Sequence, residues 1–151
     1  MGSYKSAQAD RLNPAASNYS TNGQTVFEQL SKLWTTCGAR AASSEQMLRK
    51  FRAHTVMCEV AKCGWEEYRA SCTRELAAAR QLWSQAESLV VQAAELDDST
   101  LLEESQEMLA LGDRLIASEE EIIELNDLSA ETYVFAHKHG TLVWQKSTSL
   151  S

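Results

Sequence analysis

The residues best equipped for chemistry are four cysteines (Cys37, Cys58, Cys63, Cys72), three histidines and a dense set of carboxylates in the second half of the chain. His54 and Cys58 are four apart and would share one side of a helix, with Cys37 on a preceding helix as a third ligand. A zinc site also needs a fourth ligand and outer-shell support, so this spacing reads as core packing. No Cys-x-x-Cys pair is present, which removes the common zinc-ribbon and thioredoxin spacings. One helix cannot bring Cys58, Cys63 and Cys72 to disulfide distance. They are expected to be reduced, small hydrophobes in a cytoplasmic chain. His137 and His139 are two apart and point to different sides of a helix. The carboxylates Glu103, Glu104, Glu107, Glu119, Glu120, Glu121, Glu124 and Glu131 include no Glu-x-x-His pair of the kind di-iron bundles use. Phosphate loops, nucleophile elbows and His-Glu-x-x-His are also missing. The expectation is a non-enzymatic chain with no cofactor, no metal and no small-molecule substrate.

A different chemistry is suggested at the N-terminus. Met1-Gly2-Ser3-Tyr4-Lys5-Ser6 fits the pattern for myristoylation of Gly2, which needs an unhindered amine and favours a hydroxyl at position 6. A single acyl chain binds membranes only marginally, and Lys5 with Arg11 is a thin second signal. A peripheral membrane adaptor tethered at Gly2 is therefore the alternative reading. It would place a cytoplasmic protein in reversible contact with a membrane.

The chain has 151 residues, 44% of them hydrophobic and 23% charged, with six Gly and one Pro. It can form one packed domain, and it contains little to interrupt helices. No apolar run approaches the roughly 20 residues that span a bilayer. The net charge of −7 is divided unevenly. Residues 1–86 carry +4 and residues 87–151 carry −11. Two arrangements fit this asymmetry: a basic helix folded against an acidic one in the same molecule, or two surfaces of opposite sign that face different partners. Neither arrangement concentrates the basic face that nucleic acid requires.

Residues 1–23 are polar and read as a flexible arm, residues 24–140 as a helical bundle and 141–151 as a C-terminal tail. The first helix is expected from a capping box at Thr25 and Glu28, weakening after Gly38. Ser43-Ser44-Glu45-Gln46 offers a second start, with a continuous helix through this point as the alternative. A 53-residue middle helix over 44–96 would span about 80 Å. Its seam would run Phe51, His54, Cys58, Ala61, Trp65, Tyr68, Cys72, Leu76, Ala79, Trp83, Ala86, Val90 and Ala93. Asp97-Asp98-Ser99-Thr100 is the best turn, and Thr100 with Glu103 forms a third capping box. The last helix should reach His139, with Gly140 as its C-cap.

That last helix carries paired apolar columns, Leu101/Met108/Leu115/Ile122 and Leu102/Leu109/Ile116/Ile123, around small Ser105 and Gly112. Such a column of small residues permits close approach, and it ends at Glu119, a carboxylate near the seam that would need a partner or water. These elements predict an all-α fold: a long antiparallel helical hairpin with a shorter third helix, a coiled-coil-like bundle. A conventional three-helix bundle is the competing arrangement. If helix one lies over the start of the middle helix, the second column needs cover from another chain, a helical partner or a second copy. The predicted function is a protein–protein interaction or scaffold subunit that uses helical faces in a larger assembly. Its contact residues would be Leu102, Leu109, Ile116, Ile123, Glu104, Glu120 and Glu124, with Trp144 as an exposed anchor.

Overall fold

The computed structural model describes residues 21–147. Three long helices of nearly equal length form a bundle: α1 (Thr21–Arg52), α3 (Trp65–Glu95) and α4 (Ser99–Thr132). A short helix α2 (Met57–Cys63) bridges α1 and α3, and an antiparallel hairpin of β1 (Tyr133–Lys138) and β2 (Thr141–Lys146) follows α4. The fold is predominantly all-α, as the periodicity predicts. Of the predicted arm, residues 1–20 lie outside the described residues, while Thr21–Gly23 already belong to α1.

The helix boundaries differ from the sequence expectation in physically clear ways. Thr25 is inside α1, where its hydroxyl donates to the Thr21 carbonyl at 3.3 Å instead of capping. There is no break at Ser43-Ser44. Ser44 is buried, and α1 runs on to Arg52. The interruption comes ten residues later. His54 takes φ +58°, its N–H donates to the Phe51 carbonyl, and the Thr55 N–H donates to the Lys50 carbonyl. This pattern of two backward bonds around one left-handed residue is a Schellman motif, usually built on Gly. A histidine there leaves no glycine signal, although His is among the few residues enriched at positive φ.

Gly64, at φ +105°, then separates α2 from α3. The predicted 53-residue helix is thus divided at two places, and the near-equal three-helix bundle replaces the extended hairpin. At about 1.5 Å per residue the long helices span roughly 50 Å.

The second reversal repeats the first. Asp97 has φ +54°, its N–H donates to Ala94, and the Asp98 N–H reaches Ala93 at 3.5 Å. Asp98 caps α4 by accepting from the Leu101 N–H at 3.0 Å. The cap is therefore Asp98, two residues before the predicted Thr100.

The last helix stops at Thr132, not His139. Residues 133–146 alternate β-branched and aromatic residues around a two-residue loop, His139-Gly140. Both loop residues have positive φ, +52° and +74°, the signature of a type I′ hairpin turn whose twist matches the strands. The predicted C-cap glycine is a hairpin glycine, and most of the predicted tail is β2.

The core divides into two clusters. One, toward the α3–α4 turn, gathers Leu30, Trp34, Ala79, Leu89, Met108 and Leu115 with their neighbours. The other, toward the hairpin, gathers Phe51, Val56, Met57, Val60, Cys72 and Ile122. On α3 the predicted seam holds at Cys72, Leu76, Ala79, Ala86 and Ala93, but Leu82 and Leu89 replace Trp83 and Val90 as buried residues. His54, predicted on the seam, is exposed in the α1–α2 turn.

Trp83 is displaced to the edge of the seam because it covers Gly112. A Cβ added at Gly112 would lie 3.1 Å from Trp83 Cδ1 and 3.5 Å from its Cα. The indole Nε1 donates to Asp113 Oδ1 at 2.8 Å. The small-residue column predicted from sequence is therefore a place of close approach between α3 and α4. We expect Gly112→Leu to destabilise the fold by about 1–3 kcal/mol through overpacking. Ala110→Leu, on the exposed side of α4, should change stability by less than about 0.5 kcal/mol. Urea denaturation of the two variants checks this, and equal midpoints would contradict the packing.

Candidate functional site

Two features of the bundle stand out chemically. The first is a polar layer between the two apolar clusters. Ser44 of α1 and Ser118 of α4 are buried with their Oγ atoms 2.6 Å apart. Glu119, only 7% exposed, has the Ser44 hydroxyl beside it, a neighbour that favours the charged form. A hydroxyl has one proton, so the arrangement that serves both groups runs from Ser118 to Ser44 to Glu119. At the rim of this layer Arg40 and Glu75 form an ion pair at 2.6 Å, and α3 contributes the neighbouring side chains Tyr68 and Cys72.

Burial sets the electrostatics of this layer. Desolvation raises the Glu119 carboxyl above its ordinary value, because a charged carboxylate loses its water. Glu75 adds to the shift, while Ser44 and Arg40 oppose it. Burial also pushes the Cys72 thiol up to about 11 and the Cys37 thiol up to about 11. The Tyr68 hydroxyl is driven well above the ordinary phenol range by the same cause. Thiols held protonated in this way are poor nucleophiles and poor metal ligands. The layer is built to hold protons and to fix register.

The second feature is the hairpin end. Trp144 of β2 sits among Trp65, Tyr133 and Phe135, with ring centroids 5.2, 5.2 and 6.0 Å away. His54 lies 5.6 Å from the Tyr133 ring. Trp144 is therefore not the exposed anchor that its position after the last predicted helix suggested. It is half-buried and pins the hairpin to the start of α3. Its indole nitrogen is buried without a hydrogen-bond partner among the described residues, which costs stability that the ring contacts must offset. Between the hairpin base and the helices lies a cleft of about 300 Å³, with Phe51, Met57, Leu125, Leu128 and Tyr133 among its walls and Lys146 at its edge.

The remaining predicted site residues are distributed as follows. Gly2 lies outside the described residues. Leu102, Leu109 and Ile116 are partly buried against the larger cluster, and Ile123 against the smaller one. The premise that helix one lies away from this column is corrected. The α1 helix runs along α4, joined by Ser44–Ser118, Arg114–Glu45 and Arg52–Glu121, so the broad apolar stripe faces two helices of its own chain. Glu104 is buried. Glu120 is engaged by Arg80 at 3.2 Å, and Glu124 is exposed.

The ion pairs Arg52–Glu121, Arg69–Asp127 and Arg80–Glu120 join the basic half of the chain to the acidic one. Complementary helices in one molecule thus account for part of the charge asymmetry. Cys37 belongs to the larger cluster while α2, which carries Cys58, packs into the smaller one. The imagined ligand set is not assembled. Among the described residues no group of three His, Cys, Asp or Glu side chains is placed to hold a metal ion, and no helix is long and apolar enough to cross a membrane.

Sequence reasoning identified Glu119 but missed its partners. Ser44 looked like a helix cap, and only the continuity of α1 turns its hydroxyl inward. No protein-family model, no curated protein and no solved structure matches this chain.

The raised Glu119 pKa has a definite sign for stability. The folded state binds this proton more tightly than the unfolded chain, whose carboxyl titrates near 4.5. Ionised Glu119 therefore costs stability above its folded pKa, and the cost disappears as pH falls below the unfolded value. We expect Glu119→Gln, whose amide oxygen still accepts from Ser44, to raise Tm at pH 7 by about 2–4 °C for each kcal/mol relieved. The difference from the parent chain should vanish below about pH 4.5. Thermal denaturation across pH checks it. A Gln variant less stable at neutral pH would show that the charge is compensated.

Proposed function

We propose that this chain is a non-enzymatic interaction subunit, and that it engages a protein partner at the end of the bundle formed by α4 and the hairpin. The observation that carries this reading is an exposed large apolar side chain in the wall of the cleft. Leu128, near the end of α4, is 54% exposed and lines it with Phe51, Met57, Leu125 and Tyr133; Val134, on the other face of the hairpin, is 43% exposed. Single exposed apolar residues are normal, but one that borders a depression with apolar walls, with a second at the same end of the molecule, marks a binding surface. The other such residue, Val91, stands apart on α3. Along the helices the arginines of α1 and α3 already meet the carboxylates of α4, so the partner surface proposed here lies at the hairpin end.

The sequence pattern at Gly2 supports a second reading, a peripheral adaptor tethered by myristate. One acyl chain holds a protein at a membrane only marginally, so a partner protein would supply the remaining affinity. Mass spectrometry of the native N-terminus decides this point directly.

A photo-crosslinking residue at Leu128, compared with one at Gln29 on the outer side of α1, tests the partner surface in the native source. The expected result is one recurrent adduct from position 128 only, lost on competition with the unlabelled chain. Leu128→Asp should abolish competition while shifting stability by no more than about 0.5 kcal/mol, since the side chain is mostly in solvent. Indistinguishable adduct patterns from both positions would overturn the reading.

A further inference from the structure

The hairpin has a free edge. The loop His139-Gly140 is closed by Lys138 and Thr141, which as the outer residues of the turn exchange backbone hydrogen bonds. Pairs in an antiparallel ladder alternate between bonded and non-bonded. The bonded pairs are therefore Lys138–Thr141, Ala136–Val143 and Val134–Gln145. The pairs between them, His137–Leu142, Phe135–Trp144 and Tyr133–Lys146, direct their N–H and C=O groups outward. On β1 the Tyr133 N–H is used by the Ser129 carbonyl, which leaves the amides of Phe135 and His137. Among the described residues neither has a backbone partner. The edge of β2 is less open, because β2 lies along α2, whereas β1 meets the helices chiefly at its junction with α4.

The faces of the hairpin are equally unequal. Tyr133, Phe135 and Trp144 form the face packed toward Trp65. By alternation Val134, Ala136 and Val143 occupy the opposite face, where Val134 is 43% exposed. A two-stranded sheet with an unpaired edge and an uncovered apolar face is incomplete: natural edges are usually shortened, bulged or covered.

Local charge selects the occupant. Residues 133–146 contain Lys138 and Lys146, with His137 and His139, and no carboxylate. The surrounding chain is acidic overall, but Glu120, Glu121 and Asp127 on α4 are engaged by arginines, and the Debye length at physiological ionic strength is only about 8 Å. Glu124 and Glu131 are exposed on α4, at the Tyr133 end of β1. That end lies roughly 17 Å along the strand from position 138, so the loop end of the edge carries the hairpin's own charge. A second copy would bring four lysines into one sheet, whereas an acidic strand would be drawn to it.

We infer that β1 is an acceptor edge for an extended, acidic peptide strand, which adds beside Phe135 and His137 as a third strand of the sheet and covers Val134 and Ala136. Backbone bonds supply the docking, and alternate side chains supply the selectivity. This deepens the reading of the chain as an interaction subunit and rests on it.

The test uses the full chain, ¹⁵N-labelled, and an acetylated peptide of alternating valine and glutamate. Saturable binding is expected, with slowed amide exchange at Phe135 and His137 and affinity that falls with added salt. The alternating valine–lysine peptide should bind at least about tenfold more weakly. His137→Pro removes an outward amide without breaking a ladder bond, and should weaken binding by a similar factor with the helical signal intact. Should that variant unfold, the glutamate peptide N-methylated at alternate residues makes the same comparison on the wild-type chain.

Equal binding of the two peptides, or protection at Leu142 and Trp144 in place of β1, would overturn the inference. So would protection that grows with protein concentration alone, which would assign the edge to a second copy. Binding of phosphatidylserine vesicles with none of the peptide would assign it to a lipid surface and overturn it equally. A failed peptide titration alongside a recurrent adduct at position 128 removes this inference and leaves the interaction reading standing. Failure of both removes both.

Discussion

The architecture depends on two tight chain reversals in which a residue other than glycine adopts φ near +55°. At His54 and at Asp97 the chain pays a conformational cost of roughly 1–2 kcal/mol for a left-handed backbone. Backward hydrogen bonds satisfy the last carbonyls of the preceding helix in return. The α3–α4 reversal is a few residues long and the α1–α3 reversal is spanned by α2 and Gly64, so the three long helices, of nearly equal length, lie side by side in one register. Everything else in the core follows from that register. It sets Ser44 opposite Ser118, puts Trp83 over Gly112 and brings the arginines of the first half against the carboxylates of α4.

Within that register the polar layer is the least stable part of the core and the most informative about alignment. A slip of one helix by a single turn would bury Glu119 against hydrocarbon and strand the Ser44 and Ser118 hydroxyls, at a cost of a few kcal/mol. Buried polar groups can fix alignment in this way, as they do in coiled coils. The exposed ion pairs contribute less, since each is screened and must immobilise a long side chain. Their value is directional, because they match individual arginines of α1 and α3 to carboxylates of an acidic α4. The apolar clusters on either side of the layer provide the bulk of the stabilisation.

The hairpin stands in a different relation to the bundle. It is attached by aromatic contacts, centred on Trp144, to the residue that begins α3, and its base forms one wall of the cleft beside α4. Removing a helix would expose the core, whereas the hairpin covers only one end of the molecule. The helical faces are largely spent on one another. Outward backbone amides and exposed valine and leucine gather at the hairpin end.

Much of the fold was legible in the sequence. Helical periodicity from Val26 to Asn126, the turn at Asp97-Asp98, the close-approach column through Ser105 and Gly112, and the buried placement of Glu119 all follow from side-chain type and spacing, because these are local properties of one helix. What periodicity could not reveal was where a helix stops without a Gly or Pro. His54 adopts a left-handed backbone that carries no glycine mark, so a seam continuous in sequence was cut there and again at Gly64 into three elements. The hairpin was hidden for a related reason: Tyr133 to Lys146 alternates like a strand, but the histidines and Gly140 also match a helix end.

The candidate site was less legible than the fold. Ser44 beside Glu119, Trp144 as a half-buried pin and the open edge of β1 each depend on which elements meet. Those meetings are fixed by the reversals and by packing between residues tens of positions apart. Composition and spacing determined that this chain forms amphipathic helices with the Glu119 carboxylate set near the seam. Tertiary structure alone decided which hydroxyl that carboxylate meets and which backbone amides are left without a partner, because those are outcomes of long-range packing that no local pattern encodes.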